Sequence, residues 1–172
     1  MERFSVKLEP LTEEAALIVR EWRNAARVNQ FMDFKDHISI EQQKNWFEQL
    51  QKSNDYYFII QSSEDLVGLI HLNRMNAQLK SAYAGLFVGN EAYEGTGITF
   101  QASVLLLDFA FNTLELIEVY AKVHRLNKAA LAYNEALGFQ PDGTESGDFL
   151  RLKLRREEYN RSRQALVSLL PL

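Results

Sequence analysis

Between Ser81 and Leu114 the hydrophobic period changes once, and the change falls on a turn that holds two glycines. SAYAGLFV (81–88) reads as a strand; Phe100, Val104, Leu107, Phe111 and Leu114 then recur at spacings of 4, 3, 4 and 3. Leu105 and Phe109 widen that stripe, which makes the second segment a well-buried helix. A strand running through a glycine turn into a buried helix offers free backbone N–H groups and the positive end of a helix dipole. Gly95 and Gly97 let that backbone approach a ligand with no Cβ in the way. The ligand class implied is phosphate. A lone G-x-G is more often an ordinary strand–helix turn, so the motif needs a companion.

The rest of the chain alternates around this unit. RFSVKLE (3–9) is an opening strand that Pro10 ends. Thr12 caps a helix with Glu13 and Glu14 in its first turn and Ala15, Ile18, Trp22 and Ala25 along one face. Ser39 and Gln42 form a capping box ahead of Trp46, Phe47 and Leu50. YYFIIQ (56–61) and LVGLIHL (66–72), joined by a turn at 62–65, read as a hairpin. IEVYAKV (117–123) is a strand, and NKAALAYNEAL (127–137) is a helix stopped by Gly138. Phe139 begins a short extended piece, and DFLRLKL (148–154) is a closing strand. The order β-α-α-β-β-β-α-β-α-β-β is mixed α/β, with helices on both faces of a central sheet. With 172 residues, 47% of them hydrophobic, one domain over residues 1–172 is expected.

Composition removes whole classes of function. There is no cysteine, which excludes thiol nucleophiles, disulfide scaffolds and Cys-ligated metals. The three histidines are scattered, so no metal site is expected. A net charge of −4 argues against generic nucleic-acid binding and leaves room for a local anion pocket. MERFSVKLEP has no signal-peptide core, and no uncharged apolar stretch approaches the ~18 residues that cross a bilayer. The expectation is a cytoplasmic protein with neither a membrane nor a nucleic-acid partner.

The companion motif exists. Asn127-Lys128-Ala129-Ala130 followed by Gly138-Phe139 is an N-x-x-A-x7-G-F pattern. With E-G-T-G-I ahead of it in order and spacing, the chain resembles the GCN5-related N-acetyltransferase (GNAT) superfamily over nearly its whole length. That resemblance implies a mostly antiparallel sheet with helices on both faces and a splayed cleft that takes acetyl-CoA as co-substrate, without metal. It implies that the turn of Glu94, Gly95, Thr96, Gly97, Ile98 and Thr99 grips the pyrophosphate through main-chain N–H groups. It also implies that the backbone of Leu86, Phe87 and Val88 binds the pantetheine arm, which the Asn127 side chain meets.

Four positions depart from the family pattern, the mildest being Thr99 where Gly or Ala is common, since its hydroxyl can donate to phosphate. Glu94 stands where Arg or Gln is usual; a carboxylate beside a pyrophosphate repels it, so Glu94 must point to solvent or pair with a base. Asn134 stands where many members place a Tyr that protonates the departing thiolate. Tyr133 lies one residue earlier, about 100° around the helix, so the acid is Tyr133, water, or Asn134 as a weak donor. Ala84 stands where relatives often carry a Glu base, leaving His71, Asp33, Glu91 and, through water, Tyr83.

Trp22-Arg23-Asn24, Phe31-Met32-Asp33-Phe34 and Trp46 resemble a branch holding ribosomal-protein, spermidine and nucleotide-linked amino-sugar acetyltransferases. The likeness implies that residues 23–37 border the acceptor, with Arg23, Asn24, Met32, Asp33, Phe34 and Tyr83 as candidate contacts. Tyr83-x-Gly85 leans toward the amino-sugar enzymes, and Arg23, Arg27 and Lys35 are cations available to a sugar diphosphate. The expected partner is therefore a small-molecule amine, with protein N-termini and polyamines as alternatives, and a homodimer is a permitted assembly. The departures at 84 and 134 also suit a catalytically weak acetyl-CoA-binding regulatory module.

Overall fold

Residues 1–168 and 170 are described by a computed structural model. Strands β1 (Glu2–Arg3), β2 (Val6–Pro10), β3 (Tyr56–Ser62), β4 (Asp65–Asn76), β5 (Ser81–Val88), β6 (Glu118–His124), β7 (Gln140–Ser146) and β8 (Phe149–Arg155) form one sheet, ordered β1-β2-β3-β4-β5-β6-β8-β7. Neighbours are antiparallel throughout, except that β5 and β6 run parallel. The helices are α1 (Glu13–Asn24), α2 (Ala26–Asn29), α3 (Ile40–Leu50), α4 (Ile98–Asp108), α5 (Lys128–Ala136) and α6 (Arg156–Ser168).

Strand periodicity of two divides the apolar residues between two cores. In β3, Phe58 and Ile60 pack toward α4 with Ile70, Leu106 and Phe111. Ile59, between them, packs on the opposite face with Leu69, Leu11, Ala16 and Val19 beneath α1 and α3. The expected mixed α/β sheet with helices on both faces is thus present. Both caps read from sequence are formed: Thr12 accepts from the Ala15 N–H, and Ser39 and Gln42 complete a reciprocal box.

The structure corrects three local readings. The opening strand is two short strands, because Phe4 adopts a positive φ of 61° and turns the chain back on itself. The long helix does not stay regular to Leu114. It widens into a π turn over Phe109–Thr113, where the Leu114 N–H donates to the Phe109 carbonyl at 3.0 Å. A C-terminal helix, α6, follows the strand taken as closing. Its buried Tyr159 donates to the Val104 carbonyl at 3.1 Å and is 2.9 Å from Asp108 Oδ1, while Arg163 clasps both oxygens of Asp108 at 2.5 Å. With the sheet on one side and α6 on another, α4 has nearly no exposed face, and even its Thr99, Gln101 and Ser103 are buried.

The feature that positions the site is a break in the ladder. β5 and β6 pair from Ser81↔Glu118 to Ala84↔Ala121 and then part. β5 continues against β4 as far as Val88, and β6 continues against β8 as far as His124.

Candidate active site

Where the strands part, the sheet opens on both faces. On the α4 side lies a cavity of about 790 Å³, walled by Leu86–Val88, the glycine turn and α5. On the α1/α3 side lies a second, of about 520 Å³, walled by Arg23, Trp46, Tyr57, His71 and Tyr83 among others. Ala84, Gly85, Leu86 and Phe87 border both, so the two cavities meet across β5.

The first cavity has the form expected for a coenzyme. Gly95 has φ +70°, a left-handed conformation that costs a side-chain-bearing residue energy but glycine little. Gly97 is the N-cap of α4 with ordinary φ −69°, and no side chain caps this helix. The N–H groups of the first turn are therefore free to serve an anion. Glu94, Gly95, Thr96 and Thr99 line the cavity; Gly97 and Ile98 shape the turn without forming its wall. Glu94 is paired with a base, Arg27 of α2.

Asn127 borders the same cavity but is first a cap: its Oδ1 accepts from the Ala130 N–H at 3.0 Å, leaving its amide group available. Tyr133 also lines the wall, yet its hydroxyl donates to the Thr99 carbonyl at 2.8 Å and lies 2.7 Å from Ser103 Oγ. Burial pushes that phenol well above its usual range. Asn134 spends one amide hydrogen on the Ala130 carbonyl of its own helix, at 2.8 Å.

His71 sits at the junction. Its register partner on β5 is Gly85, and a Cβ there would come within 2.7 Å of Cε1 and 2.8 Å of Nε2. The ring stacks on Tyr57 with centroids 4.7 Å apart, and Nδ1 is sealed without a partner. Burial, and secondarily the Arg23 charge, lower its pKa to about 4, so the ring is neutral at pH 7. Among the other candidate bases, Asp33 is tied to Lys122 at 2.6 Å, and Glu91 pairs with Arg27 away from the second cavity. The Tyr83 hydroxyl donates to Glu145 at 2.8 Å.

Arg23, Met32, Asp33, Phe34 and Tyr83 all line the second cavity. Asn24 does not. Its side chain instead clasps Ile38, accepting from the N–H at 2.8 Å and donating to the carbonyl at 2.9 Å, which fixes the loop ahead of α3. Of the three cations offered to a diphosphate, Arg23 alone lines this cavity: Arg27 lines the first and Lys35 neither. Sequence reasoning missed Tyr57, Arg74, Lys122 and Phe149, whose placement depends on strand order. The parity of β6 carried a signal for Lys122, since it lies between the core residues Ala121 and Val123 and so faces the other side. Among described lining residues the charged groups are Arg23, Arg74 and Lys122 against Asp33 alone, and Arg23 Nε is buried without a partner.

Comparison with known proteins agrees with this geometry. Residues 5–140 match the acetyltransferase (GNAT) domain family. A spermidine N(1)-acetyltransferase of Escherichia coli K12 is 25% identical over 146 residues, covering 84% of this chain and 78% of that protein. A probable N-acetyltransferase of Bacillus subtilis, YjcK, is 31% identical over 115 residues, 63% of each. The crystal structure of a Vibrio cholerae spermidine N-acetyltransferase in complex with CoA and spermine superimposes with a TM-score of 0.82 at 18% identity, covering 91% of this chain and 98% of that one. The chain belongs to the GNAT family and is an N-acetyltransferase that uses acetyl-CoA as its co-substrate.

Proposed function

We propose that the protein acetylates a primary amine of a small acceptor that also carries an anionic group, as a nucleotide-linked amino sugar does. The observation behind this is the wall of the second cavity: Lys122 is tied to Asp33 and Arg74 to Glu145, while Arg23 has an unmatched Nε. A half-buried guanidinium whose buried Nε lacks a partner favours a carboxylate or phosphate ligand and disfavours a polycation. The second reading is a polyamine acceptor, supported by the names of the Escherichia coli and Vibrio cholerae relatives.

The chemistry follows from the junction. The acceptor amine, in its neutral form, attacks the acetyl carbonyl; the C–N bond forms and the C–S bond breaks. His71 takes the proton from nitrogen as the C–N bond forms, when that proton is far more acidic than on the free ammonium. Unpaired backbone N–H groups of β5 beyond Ala84 are donors for the developing oxyanion. Because the Tyr133 proton is committed to the Thr99 carbonyl, water in the open cleft protonates the thiolate, whose pKa of about 8.5 asks for little assistance.

Thiol release with UDP-amino sugars, spermidine and an N-terminal peptide tests the acceptor. Turnover is expected on the sugars; efficient use of spermidine with none on the sugars overturns the proposal in favour of the polyamine. Tyr133→Phe tests the acid: kcat should change less than about tenfold while stability falls by roughly 1–2 kcal/mol from the lost buried hydrogen bonds. A drop of 10²-fold or more, at the level of a positioned proton donor, returns the role to Tyr133. Self-association into a homodimer is proposed on resemblance alone. A Vibrio cholerae spermidine N-acetyltransferase is dodecameric, and light scattering separates the two assemblies.

A further inference from the structure

The glycine turn carries a negative charge where it must receive a diphosphate, and one side chain answers it from the other half of the site. Arg27 projects from α2, at the start of the acceptor loop. Its guanidinium pairs with Glu94 of the turn and donates through Nε to Glu91 at 3.2 Å. It also donates through Nη2 to the Gly89 carbonyl at 2.9 Å, and lies 3.3 Å from the Val88 carbonyl where β5 ends. One cation therefore ties the acceptor loop, the end of β5 and the coenzyme turn together. Its side chain is 28% exposed, so water competes only in part for these bonds.

We propose that Arg27 is the positioning residue that makes this turn able to accept the coenzyme pyrophosphate, by neutralising Glu94 and drawing its carboxylate toward α2. The proposal rests on the acetyl-CoA site described above. With Arg27 in place, the phosphates meet the free N–H groups of the α4 first turn and a paired carboxylate. Without it, they meet a bare one, and like charges at this range repel. The α1–α2 corner does not depend on Arg27 for its seat. Trp22 lies on Gly89 so closely that a Cβ there would be 1.9 Å from ring atom Cδ2, so removing the guanidinium leaves that packing intact.

Calorimetric titration of CoA into the wild type, Arg27→Gln, Glu94→Gln and the double variant tests this. The single Arg27→Gln change should weaken binding at least tenfold, with the deficit shrinking as salt is raised. Glu94→Gln alone should bind within about threefold of wild type or more tightly. The double variant should recover to within about threefold of Glu94→Gln, because nothing is then left to neutralise. Arg27→Lys, which keeps the cation without the fork, is the milder variant; its smaller loss should likewise vanish when Glu94 is removed. If the double variant stays as weak as Arg27→Gln, or if Arg27→Gln binds like the wild type, the proposal fails. Absence of CoA binding in the wild type overturns the coenzyme site itself, a distinct result.

Discussion

Replacing His71 by Gln is expected to lower kcat by roughly 10²–10⁴-fold while leaving CoA affinity nearly unchanged. Glutamine keeps polarity and approximate reach but cannot take a proton. The ring is neutral at pH 7 because burial and the nearby Arg23 charge hold its pKa at about 4. It sits over Gly85, where the two cavities meet. Gly85→Ala should reproduce the loss by a different route, since its Cβ would be 2.7 Å from the ring and must displace it. The same group has a stability signature. An unfolded histidine titrates near 6.5 and the folded one at about 4, so protons favour the unfolded chain between these values. The stability contributed by the neutral ring is fully present above pH 6.5 and is lost as pH falls through about 4. The Gln variant should show a flatter unfolding profile over that window. A kcat within threefold of wild type would remove His71 from the proton path.

Tyr159→Ala is expected to destabilise the protein by about 3–5 kcal/mol, the usual cost of deleting a buried aromatic ring. For a chain this size that is a fall in Tm of roughly 6–20 °C. The side chain is fully buried, packs 5.2 Å from the Phe111 ring and fastens α6 to α4 through its hydroxyl. Tyr159→Phe, which removes only the hydroxyl, should cost about 1–2 kcal/mol by leaving the Val104 and Asp108 acceptors short of a donor. Thermal unfolding followed by circular dichroism reads both. A loss below 1 kcal/mol for the alanine variant would mean that α6 is held by something other than this ring.

What the sequence showed and hid divides by range. β5 matches its reading at both ends, and both helix caps were legible, because each depends on residues within a few positions of one another. The helix α6 was not legible: it buries only Tyr159 and Leu166 among its described residues, so its amphipathic stripe is faint. The turn and Asn127 were readable as a pair of motifs, but the occupation of the Asn127 oxygen by the Ala130 N–H was not. His71 looked like a lone histidine on an apolar strand; only the register that sets it opposite Gly85 gives it a place at the junction. Arg27 was grouped with Arg23 and Lys35 because they are near in sequence, whereas its long side chain crosses to the glycine turn. Asn24 failed in the opposite way, since its short amide was consumed locally by Ile38.

The four-residue parallel seam between Ser81–Ala84 and Glu118–Ala121 also joins two panels of the sheet that share one core. One panel is β1 to β5; the other is β6, β8 and β7. Beyond the seam, the facing edges have backbone groups that a strand would ordinarily occupy. An extended arm bound there would face both edges and splint the two panels together. Any molecule that binds only the folded chain adds RT ln(1 + [L]/Kd) to its stability, about 2.7 kcal/mol at a hundredfold excess over Kd. On the coenzyme site proposed above, a rising coenzyme supply would therefore raise the stability of the whole enzyme.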